Sequence, residues 1–135
     1  ESSNIAAILP RMAAERGDQV AIRCPGSRGL AGHARYDSVL TYAQLEARSN
    51  AIAAGLGAAG LLRGQRAAVM VRPTPEFFLL MFALFKAGAV PVLVDPGIAK
   101  RALRQCLDEA QPEAFVGIPL GWGVWKTLVS AAKIF

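Results

Sequence analysis

The sequence has little histidine and little cysteine, and both shortages limit the chemistry that it can carry. Among its 135 residues there is one histidine, His33, and there are two cysteines, Cys24 and Cys106. A single histidine leaves no material for a multi-histidine metal site or for a complete Ser-His-Asp triad. The two cysteines are far apart and form no CxxC pair, so we expect two free thiols rather than a disulfide.

Long hydrophobic runs are also missing. The longest strongly apolar run, Phe77–Phe85, is about half of the roughly 20 residues that a helix needs to cross a bilayer. Near the N-terminus, Pro10, Arg11 and Glu15 interrupt any apolar core that a signal peptide would need. We therefore expect a cytoplasmic protein without a transmembrane segment.

Positive charge is in excess but is spread along the chain. The formal net charge is +5, and only Lys100, Arg101 and Arg104 form a local basic cluster. No basic run alternates with aromatic residues, so we expect a solvated surface rather than a nucleic-acid interface. The chain is 53% hydrophobic, and at this length it can build the core of about one domain.

The spacing of apolar residues predicts helices that alternate with short strands. This order is typical of an α/β fold, with a mostly parallel sheet, helices on both faces and an antiparallel hairpin near the N-terminus. The predicted helices span residues 5–16, 41–59, 75–87 and 99–110, and the predicted strands span 19–24, 36–41, 66–71, 90–94 and 114–118.

Several helix ends carry clear local signals. Asn4 is a predicted cap for the first helix, and Thr41 with Gln44 fits the capping box, in which each side chain bonds a free backbone N–H. Thr74 is a plausible N-cap, since proline and glutamate follow it directly. Gly60 is expected to end its helix in the left-handed conformation.

The segment Leu84–Gly97 predicts a helix, a tight turn at Gly88 and a buried central strand at Val90–Val94 that ends on Asp95. Ligands of open α/β sheets usually bind outside such strand ends. Asp95 could therefore hold a metal or a ribose hydroxyl. Because proline and glycine follow it directly, the favoured interpretation is that its carboxylate accepts backbone N–H groups and shapes the turn.

Two glycine- or lysine-containing segments resemble phosphate loops only formally. Gly55–Gly60 matches GxGxxG, but it closes a predicted helix, whereas a dinucleotide site needs the motif to open one. Close packing with a helix stop explains it better. Lys126-Thr127 lacks the preceding glycine of a P-loop, since Trp125 occupies that position.

The other polar residues show no catalytic arrangement. Lys86 lies near a helix C-terminus, where a cation complements the negative helix end and can bond the last carbonyls. Glu76, Glu109 and Glu113 have no paired-carboxylate spacing, and no serine lies in a GxSxG context. In helix 99–110 we expect Leu103, Cys106 and Leu107 to point inward.

Two motifs in order carry a family resemblance. Leu40–Leu45 resembles the first core motif of the adenylate-forming superfamily, which includes acyl-CoA synthetases, luciferases and peptide-synthetase adenylation domains. Leu84–Pro96 resembles the second motif. Residues 66–91 are similar to the fatty-acyl members, and residues 91–115 look closest to the β-lactone synthetase type of bacterial olefin biosynthesis. The resemblance covers about Ile5 to Pro119.

The resemblance implies an AMP-forming ligase that is several times longer than this chain. Such an enzyme uses ATP and Mg²⁺ to activate a fatty-acyl or β-hydroxy acid, and the acceptor is CoA or the substrate's own hydroxyl. Its partners would be the rest of the enzyme or other pathway enzymes. Residues 1–120 would be the N-terminal portion of the AMP-binding domain, with no catalytic, cofactor-binding or metal-binding residue among them, so that the chain alone would be inactive.

Residues 121–135 do not match the family and predict an amphipathic tail helix that carries Trp122 and Trp125. This tail supports an alternative interpretation, in which the chain is a small stand-alone α/β binding or interaction module that docks through the tail. A dinucleotide-binding domain is a third interpretation, and it depends on Gly55–Gly60 opening a helix.

Overall fold

The protein is described here by a computed structural model that covers residues 3–117 and 129–130. A short 3₁₀ turn, Ile5–Ile8, precedes the first α-helix. The helices are α1 (Leu9–Arg16), α2 (Tyr42–Ala58), α3 (Pro75–Ala87) and α4 (Lys100–Ala110). The strands are β1 (Val20–Cys24), β2 (Ser38–Thr41), β3 (Arg66–Met70), β4 (Val90–Leu93), β5 (Ala114–Gly117) and β6 (Val129–Ser130).

The strands form two sheets. β1 and β2 pair as an antiparallel hairpin, as the sequence predicts. The larger sheet has the order β4-β3-β5-β6, in which β3 runs parallel to both β4 and β5, and β6 runs antiparallel to β5. The chain steps from β3 to β4 in one direction and then back past β3 to β5. Right-handed crossovers therefore place α3 and α4 on opposite faces of the sheet, which confirms the predicted α/β class.

The start of the chain is a 3₁₀ turn rather than the first turns of one long α-helix. Asn4 caps it as predicted, because its side chain accepts the backbone N–H of Ala6 (2.9 Å). The α-helix begins only at Leu9, with Pro10 in its first turn. Proline has no N–H to donate, so it suits the first turn of an α-helix and not its interior.

The ends of α2 form as predicted. Gln44 N–H donates to Thr41 Oγ1 (3.2 Å), and Thr41 N–H donates to Gln44 Oε1 (3.0 Å), which completes the capping box. Gly60 follows the helix with φ +96°. This left-handed conformation suits glycine, because it has no Cβ to clash with the backbone.

The main core lies between the larger sheet and the pair α2 and α3. Val69 and Val116 of the sheet pack with Leu84 of α3 and Leu56 of α2, and all four are almost completely buried. Each such side chain contributes about 2 kcal/mol through the hydrophobic effect. A second cluster joins α3 to α1, to the hairpin and to the start of α2, and its buried residues are Leu79, Leu9, Leu40 and Leu45.

The other side of the sheet is less covered, and two sequence predictions are wrong there. β4 is an edge strand of the described sheet rather than a buried central one, with Val90 48% and Leu93 59% exposed. Helix α4 has no buried residue. Leu103 and Leu107 are half-buried, but Cys106 is exposed instead of pointing inward.

Most of the predicted tail helix, including Trp122 and Trp125, lies outside the described residues. Where the structure describes the tail, the prediction is wrong, because Val129–Ser130 pairs with β5 as a strand. In the described part of the chain, no helix combines the length and apolar character needed to cross a membrane.

Candidate functional site

The carboxyl ends of β3, β4 and β5 lie at one edge of the larger sheet, because these strands are parallel. In an open α/β sheet this edge is the expected place for a ligand. The residues that follow the strand ends here are Arg72 after β3 and Asp95 after β4. The N-terminus of α3 opens at the same edge, since it follows β3 directly.

Asp95 uses a carboxylate oxygen to shape its own turn. The backbone N–H of Gly97 donates to Asp95 Oδ1 (2.8 Å), and the N–H of Ile98 donates to the Asp95 carbonyl (3.1 Å). This pattern is an Asx turn, in which the side chain takes the place of a backbone acceptor. The geometry agrees with the structural interpretation of Asp95 rather than with a ligand-holding one.

The N-terminus of α3 is weakly suited to an anion. Thr74 occupies the predicted N-cap position with extended backbone, but its side chain makes no capping hydrogen bond. Pro75 removes one N–H from the first turn, and Glu76 adds a carboxylate there. A carboxylate at the positive end of the helix competes with any bound phosphate.

Lys86 bonds a neighbouring helix instead of the last carbonyls of its own helix. Its Nζ donates to Glu46 Oε2 (2.6 Å), to Asn50 Oδ1 (2.7 Å) and to the Glu46 carbonyl (3.3 Å). Asn50 Nδ2 in turn donates to Glu46 Oε1 (2.9 Å). The ammonium group therefore links α3 to α2 in a closed polar cluster. The sequence predicts that Lys86 bonds the last carbonyls of α3, but other groups donate to them. Asn4 Nδ2, for example, donates to the Phe85 carbonyl (2.5 Å).

Two carboxylates have lowered pKa values, and they lie on separate parts of the molecule. The backbone N–H of Arg66 donates to Glu113 (2.7 Å) and is the main cause that holds the Glu113 pKa below its ordinary value. Hydrogen bonds from the Ser27 side chain and backbone hold the Asp37 pKa below its ordinary value. Each carboxylate is exposed and serves a local structural contact, so the two do not form an acid–base pair.

His33 lies on the exposed loop between β1 and β2. Within residues 3–117 and 129–130, no group of three histidine, cysteine or acidic side chains is placed to hold a metal ion. Both thiols are free, and Cys24 is buried whereas Cys106 is exposed.

Gly55 and Gly57 lie inside the last turns of α2, so the GxGxxG segment closes a helix and cannot cradle a pyrophosphate at a helix start. The expected helix stop is confirmed at Gly60, but the close packing expected at Gly55 and Gly57 is not found. A Cβ added at either position would have no neighbouring atom within 4 Å. The glycines are therefore not required for close packing among the described residues.

Sequence reasoning missed the Lys86 cluster because its members are separated by 36 to 40 residues. Glu46 and Asn50 are four residues apart on α2, which places them on one helix face. That spacing was a signal for a polar face, but nothing in the sequence indicated which cation would reach it.

Comparison with known proteins gives a consistent result. The "AMP-binding enzyme" family matches residues 9–133. The chain is 76% identical over 117 residues to the olefin beta-lactone synthetase of Xanthomonas campestris pv. campestris, and 72% identical over 118 residues to that of Stenotrophomonas maltophilia. Each match covers 87% of this chain and 21% of the relative.

The fold agrees as well. The N-terminal subdomain of Klebsiella oxytoca NpsA, solved in complex with anthranilyl-AMSN, superposes with a TM-score of 0.74 at 25% identity, over 94% of this chain and 31% of that one. The chain thus spans about a fifth of the length of the curated relatives that it matches. From the family match, the high identity and the shared fold, we conclude that the chain belongs to the AMP-binding enzyme family.

Proposed function

We propose that this chain is the N-terminal portion of an ATP-dependent ligase that activates a fatty-acyl or β-hydroxy acid as an acyl-adenylate. The activated acyl group then passes to CoA or to the hydroxyl of the substrate itself, which gives a thioester or a β-lactone. The observation that carries the proposal is the 76% identity over 117 residues to an olefin beta-lactone synthetase, of which this chain covers 21%.

We infer that the described residues do not hold ATP or Mg²⁺ by themselves. The Asp95 carboxylate accepts the N–H of Gly97, and Glu76 lies at the helix end where a phosphate would otherwise bind. No three metal-binding side chains lie together in residues 3–117 and 129–130. We therefore assign the binding of nucleotide and metal to parts of the longer enzyme beyond this segment.

The role of the chain in the proposal is that of a scaffold. Helices α2 and α3 are fixed to the parallel sheet by a buried core, and the Lys86 cluster links the two helices. This arrangement brings the carboxyl ends of the paired strands β3, β4 and β5 to one edge of the sheet. Rigid elements position a reactive site better than loops do, so the edge is a suitable wall for a substrate channel.

The proposal places the protein in the cytoplasm, which supplies ATP and keeps thiols such as Cys24 and Cys106 reduced. Its partners in this proposal are the acyl substrate, CoA as one acceptor, and the remainder of the enzyme.

ATP–pyrophosphate exchange tests the proposal directly. The complete protein should exchange pyrophosphate when given a long-chain β-hydroxy acid and Mg²⁺, and residues 1–135 alone should not. Robust exchange by the isolated chain would refute the scaffold role. A complete protein that exchanges with none of a series of fatty and β-hydroxy acids would refute the ligase assignment.

The stand-alone module makes a different prediction for the isolated chain. A self-sufficient module is monodisperse and unfolds cooperatively, whereas a scaffold segment with an exposed edge strand and a thinly covered sheet face tends to associate. Light scattering and a thermal melt of residues 1–135 distinguish the two. A monodisperse chain with a sharp melt would favour the module.

A further inference from the structure

The loop between β1 and β2 is an ordered projection that the proposed ligase function does not use. We name residues 25–37 the basic arm. Gly26 N–H donates to the Arg35 carbonyl (2.8 Å), and Arg35 N–H donates to the Ser27 carbonyl (2.9 Å). Closer to the tip, Arg28 and Ala34 form an isolated antiparallel bridge. The arm is therefore a small hairpin with a defined shape.

The tip of the arm presents one large apolar side chain. Gly32 N–H donates to the Gly29 carbonyl (2.9 Å), which closes a tight turn around Leu30. Leu30 is fully exposed, and its neighbours in the turn are glycine and alanine. An isolated exposed leucine on a protein surface is ordinary. Here, however, it stands at the outermost point of a hydrogen-bonded projection.

The two strands of the arm that lead to this tip each carry one arginine. Arg28 and Arg35 are both exposed, and the stem of Arg35 lies across Gly29 at the turn. Asp37 is the one acidic residue in the arm by sequence. Ser27 donates both its backbone N–H and its hydroxyl to that carboxylate, which therefore stays at the base of the arm.

The base of the arm is held in place by close contacts. A Cβ added to Gly26 would collide with Asp37 Oδ1, so a larger residue there would displace that carboxylate from its hydrogen bonds to Ser27. Arg23 Nη1 donates to the Tyr36 carbonyl (3.1 Å) and fixes the start of β2 against β1. The Tyr36 ring is exposed next to this bond. These hydrogen bonds shape the backbone of the arm before binding, so the ordering cost on binding falls mainly on the exposed leucine, tyrosine and arginine side chains.

We propose that the basic arm contacts an anionic membrane surface, with Leu30 entering the interfacial region and Arg28 and Arg35 binding lipid phosphates. Arginine, an exposed tyrosine and a protruding leucine are the residue types that favour a bilayer interface. A protein partner is less well matched, because Gly29, Ala31 and Gly32 offer few side chains for specific recognition. This inference is independent of the proposed ligase activity.

The test uses the complete protein that contains this sequence and measures co-sedimentation with vesicles. One set is phosphatidylcholine with about one third phosphatidylglycerol, and the other is phosphatidylcholine alone. Binding should be seen with the anionic vesicles and should weaken at high salt. Replacing both Arg28 and Arg35 with glutamine should weaken binding by about 25-fold, since each arginine near an anionic surface is worth about fivefold. Leu30→Ser should weaken it by about tenfold.

Matched controls separate the arm from net charge and from general hydrophobicity. Arg101→Gln with Arg104→Gln removes the same charge from the exposed face of α4, and Leu62→Ser removes another exposed leucine. Both controls should bind like the parent protein, and circular dichroism should show an unchanged fold for every variant. The proposal is overturned if anionic vesicles bind no protein, if arm and control variants bind equally, or if binding to phosphatidylcholine alone is as strong.

Discussion

Replacing Lys86 with methionine should destabilise the protein more than the loss of an ordinary surface ion pair. Methionine keeps most of the apolar stem of the side chain and removes the ammonium group. In the native protein that group makes three hydrogen bonds to α2, and the side chains of Lys86 and Glu46 are only 13% and 18% exposed. The variant leaves a mostly buried carboxylate with Asn50 as its remaining side-chain donor.

The magnitude lies between two limiting cases. Removing one partner of a fully buried ion pair costs about 3–5 kcal/mol, whereas an exposed pair contributes about 0.2–1 kcal/mol. The Lys86 pair is mostly buried, and the carboxylate keeps one donor, so we expect a loss of about 2 kcal/mol in the free energy of unfolding. For the 135-residue chain unfolding as one unit, that loss lowers its Tm by about 7 °C.

Urea unfolding followed by circular dichroism measures this loss, and a double-mutant cycle with Glu46→Gln isolates the pair. We expect a coupling energy of about 1 kcal/mol or more, with little dependence on salt. Arg11→Met is the matched control. Arg11 pairs with Glu15 at 3.8 Å on α1, with both side chains more than half exposed, and its loss should cost at most about 0.5 kcal/mol. Equal losses for the two variants, or a coupling energy near zero, would refute the reasoning.

Three further changes test other parts of the structure by the same unfolding assay or by titration. Gly88→Ala should lower the free energy of unfolding by about 1–2 kcal/mol, because Gly88 has φ +72° and a Cβ there would meet Arg63 Cγ at 2.8 Å. An unchanged free energy of unfolding would contradict the left-handed helix end. Gly55→Ala should instead stabilise the protein by about 0.5 kcal/mol, since its Cβ would enter open space inside α2; a destabilised variant would show that something covers that face. Ser27 bonds the charged form of Asp37, so the pKa of this carboxyl is lower in the folded protein than in the unfolded chain. The carboxylate should therefore contribute its full stabilisation above the ordinary carboxyl pKa of about 4. That contribution should be lost as the pH falls through the lower folded-state pKa. A carboxyl chemical-shift titration that gives an ordinary pKa would contradict this.

Local signals in the sequence predicted most of the secondary structure. The capping box at Thr41 and Gln44 fixed the start of α2 to the residue, because the two hydrogen bonds involve groups only three positions apart. Alternation predicted the hairpin β1–β2, and glycine predicted the end of α3. The 3₁₀ turn before α1 was missed, although Pro10 was a visible reason for the α-helix to start late.

Features that depend on distant partners were not predictable in the same way. The apolar run at Val90–Val94 is typical of a buried strand, yet β4 lies at the edge of the described sheet. Whether a strand is central depends on which strands pair with it, and the sequence of one strand does not contain that information. The prediction that Cys106 points inward was wrong for a related reason. Periodicity defines a helix face but does not say what covers that face.

The candidate site was predicted in part. The sequence indicated that Asp95 would shape a turn, and the structure shows the Gly97 N–H donating to its carboxylate. The polar cluster of Lys86, Glu46 and Asn50 required the docking of α3 against α2, so it could only be seen in three dimensions.

By itself, the sequence determined where most helices and strands begin and end, with the start of α1 as an exception, since caps, prolines, glycines and apolar periodicity act over a few residues. It also carried the family motifs, which are local strings at Leu40–Leu45 and Leu84–Pro96. Only the tertiary structure decided which strand is an edge, which cation meets Glu46 and which loop projects as the basic arm. Those outcomes depend on contacts between residues far apart in the chain, and such contacts form only when the whole chain packs.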